Sequence, residues 1–122
     1  SDVCSSDLKK HLPQVIDTSN RAHRDYLEKV FDGHKHHFKG EVGFENFYTA
    51  QSVWEDAMAE MIFQHLKNDV MVVLAGNGHI QFKYGIPDRA YNRTGTSFRT
   101  IYTAPAGDVV ELAVADYIWV TP

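Results

Sequence analysis

Residues 70–79 read VMVVLAGNGH, and this stretch decides the fold. Its first six residues form an unbroken apolar run dominated by β-branched side chains, with no alternation of polar and apolar positions. Such a run is typical of a strand that is covered on both faces, so it predicts a central parallel strand. The run ends in Gly76, Asn77, Gly78 and His79, which predict a tight turn at the carboxyl end of that strand.

Helical patterns precede this strand. Apolar residues recur at helical spacing after Thr18 and Ser19, either of which can cap a helix, and Gly33 is placed to end it. A longer helix is predicted over residues 44–67, with two apolar tracks. One track contains Phe47, Trp54, Met58, Met61 and Leu66, and a second widens it with Val53, Ala57 and Ile62.

Shorter elements follow the turn. We expect a brief helical stretch up to Gly85, a second helix opened by Pro87, and strands over residues 97–103 and 115–120. Helix, buried strand, glycine turn, helix and strand give an α/β fold with a partial, mostly parallel sheet and flanking helices. Because few strands accompany the buried one, residues 9–122 are expected to be the C-terminal half of a larger domain. Residues 1–8 are interpreted as a non-native leader.

Composition narrows the class of function. The chain has 122 residues and a net charge of −4, and Lys9-Lys10 is its only basic run, so a nucleic-acid partner is not expected. No stretch approaches the roughly 20 apolar residues that span a membrane, and no secretory signal is present. The single cysteine, Cys4, leaves no internal disulfide.

The glycine turn is the first candidate site. In open α/β sheets, ligands bind beyond the carboxyl ends of the strands. Gly76 and Gly78 are expected to allow positive φ and close approach of a ligand to the backbone. His79 is expected at the N-terminus of the next helix, where the dipole favours a neutral ligand imidazole. The alternative is a purely structural turn with a capping histidine.

The long helix supplies possible partners for the turn. At 100° per residue, Tyr48, Gln51, Glu55 and Met58 share a narrow stripe, and Asp56 lies almost opposite Met58. If Met58 faces the core, the stripe can approach His79 and Asp56 faces water. The alternative is that Glu55 forms an ordinary salt bridge at the edge of the buried face.

One tyrosine follows the turn closely. Tyr84 is the tyrosine best placed to face the same cleft as His79.

The expected conformation of the glycine turn also predicts the effect of two substitutions. Gly78→Val is expected to be more damaging than Asp56→Ala, because valine tolerates positive φ poorly.

Three blocks of sequence then resemble a known family. They are residues 50–60 (AQSVWEDAMAE), 72–79 (VVLAGNGH) and 84–89 (YGIPDR), followed by 115–119 (ADYIW) near the end. In order and spacing they resemble the ChaN family of haem-binding uptake proteins, which is related to the Tiki group. Two departures are visible: the family's upstream Gly-Glu-x-His motif is not in this sequence, and Glu55 stands where the family usually has Asp.

The resemblance implies a function. It implies non-catalytic haem binding in bacterial iron uptake, with tyrosine as the expected iron ligand. The haem-binding candidates are His79, Tyr84, Gly76, Gly78, Gln51, Glu55 and Tyr48. The alternative is a metal-dependent hydrolase or peptidase of the Tiki-like class, with His79 and Glu55 on a divalent metal.

The resemblance also implies a cellular setting. The expected location is the periplasm or outer-membrane surface of a bacterium. Membrane association is expected only through an N-terminal lipid anchor that this sequence does not contain. A homodimer formed through the haem site is a further possibility.

Overall fold

The computed structural model describes residues 12–34, 36 and 43–122, which form two compact units. The first unit extends to Met58 and the second begins at Ala59, so one long helix contributes to both. The predicted leader at residues 1–8 lies outside the described residues. None of the described helices is long and apolar enough to cross a membrane.

The first unit is built from two helices. Helix α1 spans Arg21–His34 and helix α2 spans Phe44–His65, close to the predicted bounds. The cap of α1 differs from the prediction, because the side chain of Asn20 accepts the hydrogen bond from the His23 N–H at 3.1 Å. Thr18 and Ser19 lie just before this cap, and Ser19 instead donates to the Asp17 carboxylate.

Aromatic packing joins α1 to the start of α2. Leu27 and Phe31 are buried on α1, and the Phe31 ring lies 5.8 Å from Phe44 and 5.4 Å from Phe47. The Arg24 guanidinium lies 4.9 Å from the centre of the Phe44 ring and pairs with Glu45. These contacts make an aromatic core for the first unit.

The second unit contains helix α3, Ile86–Thr94, and strands β1, Ile101–Pro105, and β2, Tyr117–Thr121. The two strands pair in parallel, with Ile101 opposite Tyr117 and Ala104 opposite Val120. Buried side chains of this unit include Ala59, Ile86, Arg89, Ala104 and Val114. The mixed helix and parallel-strand content agrees with the predicted partial α/β class.

The predicted central strand is wrong for the described residues. Residues 70–75 are not assigned to a strand, and the described sheet contains β1 and β2 alone. Val70, Val72 and Leu74 are 95%, 80% and 92% exposed, so the run is not covered on its two faces. A β-branched run predicts a strand only when a neighbouring strand completes the hydrogen bonds, and no described segment pairs with it.

The buried face of α2 is also different from the predicted one. Trp54 is 63% exposed and Met61 44%, whereas Asp56 is fully buried. The prediction that Asp56 faces water is therefore wrong. Helix periodicity gives the angle between Glu55 and Asp56 but not the centre of the buried face, which depends on the residues that pack against α2 in the first unit.

Candidate functional site

The glycine turn forms one short 3₁₀ turn, Asn77–His79, followed by a second, Gln81–Lys83. The His79 N–H donates to the Gly76 carbonyl at 2.9 Å, and the next α-helix begins only at Ile86. The prediction that His79 stands at the N-terminus of a helix is wrong. The helix dipole therefore gives no reason for a neutral imidazole at this position.

The two glycines of the turn do not have the predicted conformation. Gly76 has extended backbone, with φ −61° and ψ 144°, and Gly78 is not among the residues with positive φ. A Cβ at Gly78 would meet no atom within 4 Å, and one at Gly76 would lie 3.9 Å from the His79 ring. Glycine is therefore not required here by backbone conformation or by space.

Positive φ occurs a few residues later, at two residues with side chains. Phe82 has φ 55° and Lys83 has φ 67°. The left-handed region costs a non-glycine residue roughly 1–2 kcal/mol. Strained backbone of this kind persists only where surrounding contacts hold it, and it is often found at functional sites.

Tyr84 follows these strained residues directly. Its backbone returns to helical values, φ −65° and ψ −35°, and its N–H donates to the Gln81 carbonyl at 3.2 Å. The Tyr84 ring lies 5.7 Å from the Phe82 ring in a tilted arrangement. His79, Phe82 and Tyr84 are all half-buried, so each keeps surface that a ligand can contact.

A lysine–aspartate pair holds the second turn. Lys83 Nζ lies 2.8 Å from Asp116 Oδ1. The other carboxylate oxygen of Asp116 accepts hydrogen bonds from the Thr100 N–H at 2.8 Å and from the Thr100 hydroxyl at 3.1 Å. The hydrogen bond from Lys83, followed by that from the Thr100 backbone, lowers the pKa of Asp116 to about 2.

Asp88 belongs to the same electrostatic neighbourhood. Burial raises the pKa of the Asp88 carboxyl, and the positive charge of Lys83 partly opposes that effect. Lys83 therefore affects the pKa of two carboxyl groups: that of Asp88, on α3, and that of Asp116, directly before β2.

Asn77 ties the first turn to the sheet. Its side-chain amide donates to the Thr103 carbonyl at 2.8 Å, and its oxygen accepts from the Thr103 N–H at 3.4 Å. One side chain thus makes both of the bonds that a strand residue would make to Thr103. Asn77 was predicted as a turn residue, but its bonds to Thr103 could not be predicted, because that partner lies 26 residues away.

The helix candidates lie in the first unit. Glu55 is fully buried, and its Oε2 lies 3.3 Å from His23 Nε2, while Tyr48 packs edge-on against the His23 ring. The Tyr48 hydroxyl donates to the Thr18 carbonyl at 3.2 Å. Gln51 is half-buried on the same helix. In the first unit Glu55 is paired with a side chain of the protein, His23, as in the salt-bridge alternative. The pair differs from that alternative because it is fully buried.

No prediction was made for His23 from the sequence, and Asp56 was placed on the wrong side of α2. The Asp56 carboxylate accepts a hydrogen bond from the Asp17 N–H at 2.8 Å, and both His23 and Asp56 are essentially inaccessible to solvent. Histidine is intermediate among the residue types in how often it is buried, so the pattern of this amphipathic helix, α1, did not indicate that His23 is buried. The predicted cleft shared by this helix and the glycine turn combines residues of two separate units, and it stays a prediction.

The metal alternative named His79 and Glu55. Within residues 12–34, 36 and 43–122, no three His, Cys, Asp or Glu side chains are grouped so that they could hold a metal ion. His79 belongs to the second unit and Glu55 to the first.

Comparison with known proteins gives one match. A family model described as "Haem-binding uptake, Tiki superfamily, ChaN" matches residues 3–90. No curated protein and no solved structure matches the chain. The matched residues include both 3₁₀ turns and Tyr84.

Proposed function

Because this chain belongs to the ChaN family of haem-binding uptake proteins in the Tiki superfamily, we propose that it is a non-catalytic haem-binding module of bacterial iron uptake. The family match over residues 3–90 carries the proposal. Under the same proposal, the protein works in the periplasm or at the outer-membrane surface, where external haem is first met.

The second unit has suitable groups for the iron of haem. Haem iron takes an axial ligand from a tyrosine oxygen or a histidine nitrogen. Tyr84 and His79 supply these two atom types from one short segment, and both side chains keep exposed surface. We propose Tyr84 as the iron ligand, with His79 as a neighbouring group.

An apolar surface beside the ligand supports this assignment. A porphyrin is a flat, largely apolar ring, and its binding sites are lined mostly by hydrophobic and aromatic side chains. The Phe82 ring lies 5.7 Å from the Tyr84 ring, which puts an aromatic face next to the phenol. Bound haem would supply an iron centre; the protein supplies the oxygen ligand and the apolar contact.

Hemin titration of the chain tests the proposal. The wild type is expected to give a Soret band typical of tyrosinate-bound ferric haem. Tyr84→Phe should weaken hemin binding at least about tenfold, equivalent to roughly 1.4 kcal/mol. The matched control is Tyr91→Phe, because Tyr91 is an exposed tyrosine on α3 and should bind hemin normally.

The outcomes of the titration test haem binding separately from the choice of Tyr84 as the iron ligand. A wild type with no spectral change would refute haem binding. A Tyr84→Phe variant with the wild-type spectrum would remove Tyr84 as the ligand, and loss of the band in His79→Ala would then transfer that role to His79. Size-exclusion chromatography with and without hemin tests whether haem joins two copies.

A further inference from the structure

Tyr84 is preceded by two residues that need external support. Phe82 and Lys83 are consecutive side-chain-bearing residues with positive φ, a conformation that only glycine adopts readily. The hydrogen bonds from the Lys83 N–H to the Ile80 carbonyl and from the Tyr84 N–H to the Gln81 carbonyl are local. They close the turn, but they do not attach it to the rest of the unit.

The Lys83 side chain attaches the turn to the start of the sheet. Its ammonium group lies 2.8 Å from Asp116, and 5.6 Å from the centre of the Phe98 ring. Asp116 is itself fixed, because it exchanges hydrogen bonds with Thr100: its carboxylate accepts two, and its N–H donates to the Thr100 hydroxyl at 3.0 Å. The Lys83 charge is therefore held by a carboxylate that cannot easily move.

Thr100 and Asp116 both lie at the start of the sheet. Thr100 immediately precedes β1 and Asp116 immediately precedes β2, and the Tyr117 N–H donates to the Thr100 carbonyl at 3.0 Å. Asp116 thus lies where the two parallel strands begin, beyond the residues 3–90 that the family model matches.

We propose that Asp116 is a positioning residue for the iron ligand Tyr84: by holding Lys83, it keeps residues 82–83 in the left-handed conformation that sets the place of the Tyr84 phenol. This inference rests on the proposed haem function. The hydrogen bond from Lys83, followed by that from the Thr100 backbone, lowers the pKa of Asp116 to about 2, as expected for a carboxylate that is held in a favourable pair.

The test removes the charge of Asp116 in the full chain. Asp116→Asn is expected to raise amide hydrogen exchange at residues 81–84 at least tenfold in the absence of hemin. It should also weaken hemin binding at least tenfold and diminish the tyrosinate band. The control is Asp108→Asn, which makes the same charge change at an exposed turn after β1 and should leave both measurements unchanged.

A second variant distinguishes positioning from general stability. Glycine adopts positive φ without steric cost, so Lys83→Gly removes the need for the tether. The double variant Lys83→Gly/Asp116→Asn is therefore expected to bind hemin more tightly than Asp116→Asn alone. If Asp116 only stabilised the fold, the double variant would bind no better than the single one.

The result that overturns the inference is specific. Unchanged exchange at residues 81–84 and an unchanged hemin spectrum in Asp116→Asn would refute it, even with haem binding intact. A wild type that does not bind hemin would refute the proposed function alone, because amide exchange in the apo protein still reports whether Asp116 holds the segment. If Asp116→Asn does not fold, Lys83→Met gives the same readout, with the same result expected.

Discussion

Among the described residues, the two units of the chain differ in the side chains that they bury completely and in the number of large apolar side chains that they expose. The first unit buries charged and polar groups, including His23, Glu55 and Asp56, between its helices. The second unit leaves large apolar side chains in solvent, among them Leu74 and Trp119. The difference teaches that residue type alone does not decide burial here: a polar side chain can be buried where it has a partner inside the protein, as Glu55 has in His23.

The largest expected effect is the difference in stability between two leucine-to-alanine substitutions, one in each unit. Leu27→Ala removes a side chain that is 2% exposed and should cost about 2–5 kcal/mol. Leu74→Ala removes one that is 92% exposed and should change the free energy of unfolding by less than about 0.5 kcal/mol. Urea unfolding monitored by circular dichroism measures both. A loss above about 2 kcal/mol for Leu74→Ala would mean that residues 70–75 are packed in a sheet after all.

For a second pair of substitutions, the structure predicts the opposite order of destabilisation from the one expected from sequence. Asp56→Ala removes a fully buried carboxylate together with the acceptor of the Asp17 N–H, which should cost about 1–3 kcal/mol. Gly78→Val should cost less than about 0.5 kcal/mol, because Gly78 does not have positive φ and open space surrounds its Cβ position. Thermal melting of the two variants side by side decides the order. The opposite order would restore the glycine turn as a strained element.

The smallest expected effect is the pH dependence of the stability of the second unit. The folded pKa of Asp116 is about 2, below the usual value of 3.8, so its contribution to stability is complete above pH 4 and is lost as the pH falls towards 2. Urea midpoints of wild type and Asp116→Asn should therefore differ at pH 6 and converge as pH falls below 4. The raised pKa of Asp88 acts in the opposite direction and is common to both proteins. Parallel curves down to pH 2 would contradict a stabilising pair.

The local elements of the fold could be predicted from sequence. Helix α1 follows from its apolar spacing, and the aromatic and β-branched residues around Tyr102 and Ile118 place the two strands within a few residues. These patterns repeat over neighbouring positions, so they are visible without tertiary structure. The face of α2 that packs was not predictable, because it depends on the partner helix and not on α2 itself.

The candidate site could be predicted only in part. Tyr84 and His79 were identified because they follow a recognisable turn. The contacts of Asp116 and Asn77 were not predicted, since their partners are 33 and 26 residues away in the chain. The positive φ of Phe82 and Lys83 was missed for the same reason: bulky residues adopt that conformation only where distant contacts impose it.

The hydrogen bonds of Asn77 have a consequence for self-association. An unpaired strand edge is a template on which another chain can add a strand and begin to aggregate. By using both the N–H and the carbonyl of Thr103, the Asn77 amide occupies the outer edge of β1 at its central residue. An incoming strand must displace this amide before it can pair there, so one side chain protects the β1 edge of the described sheet, on which Ile101, Tyr117 and Trp119 are exposed.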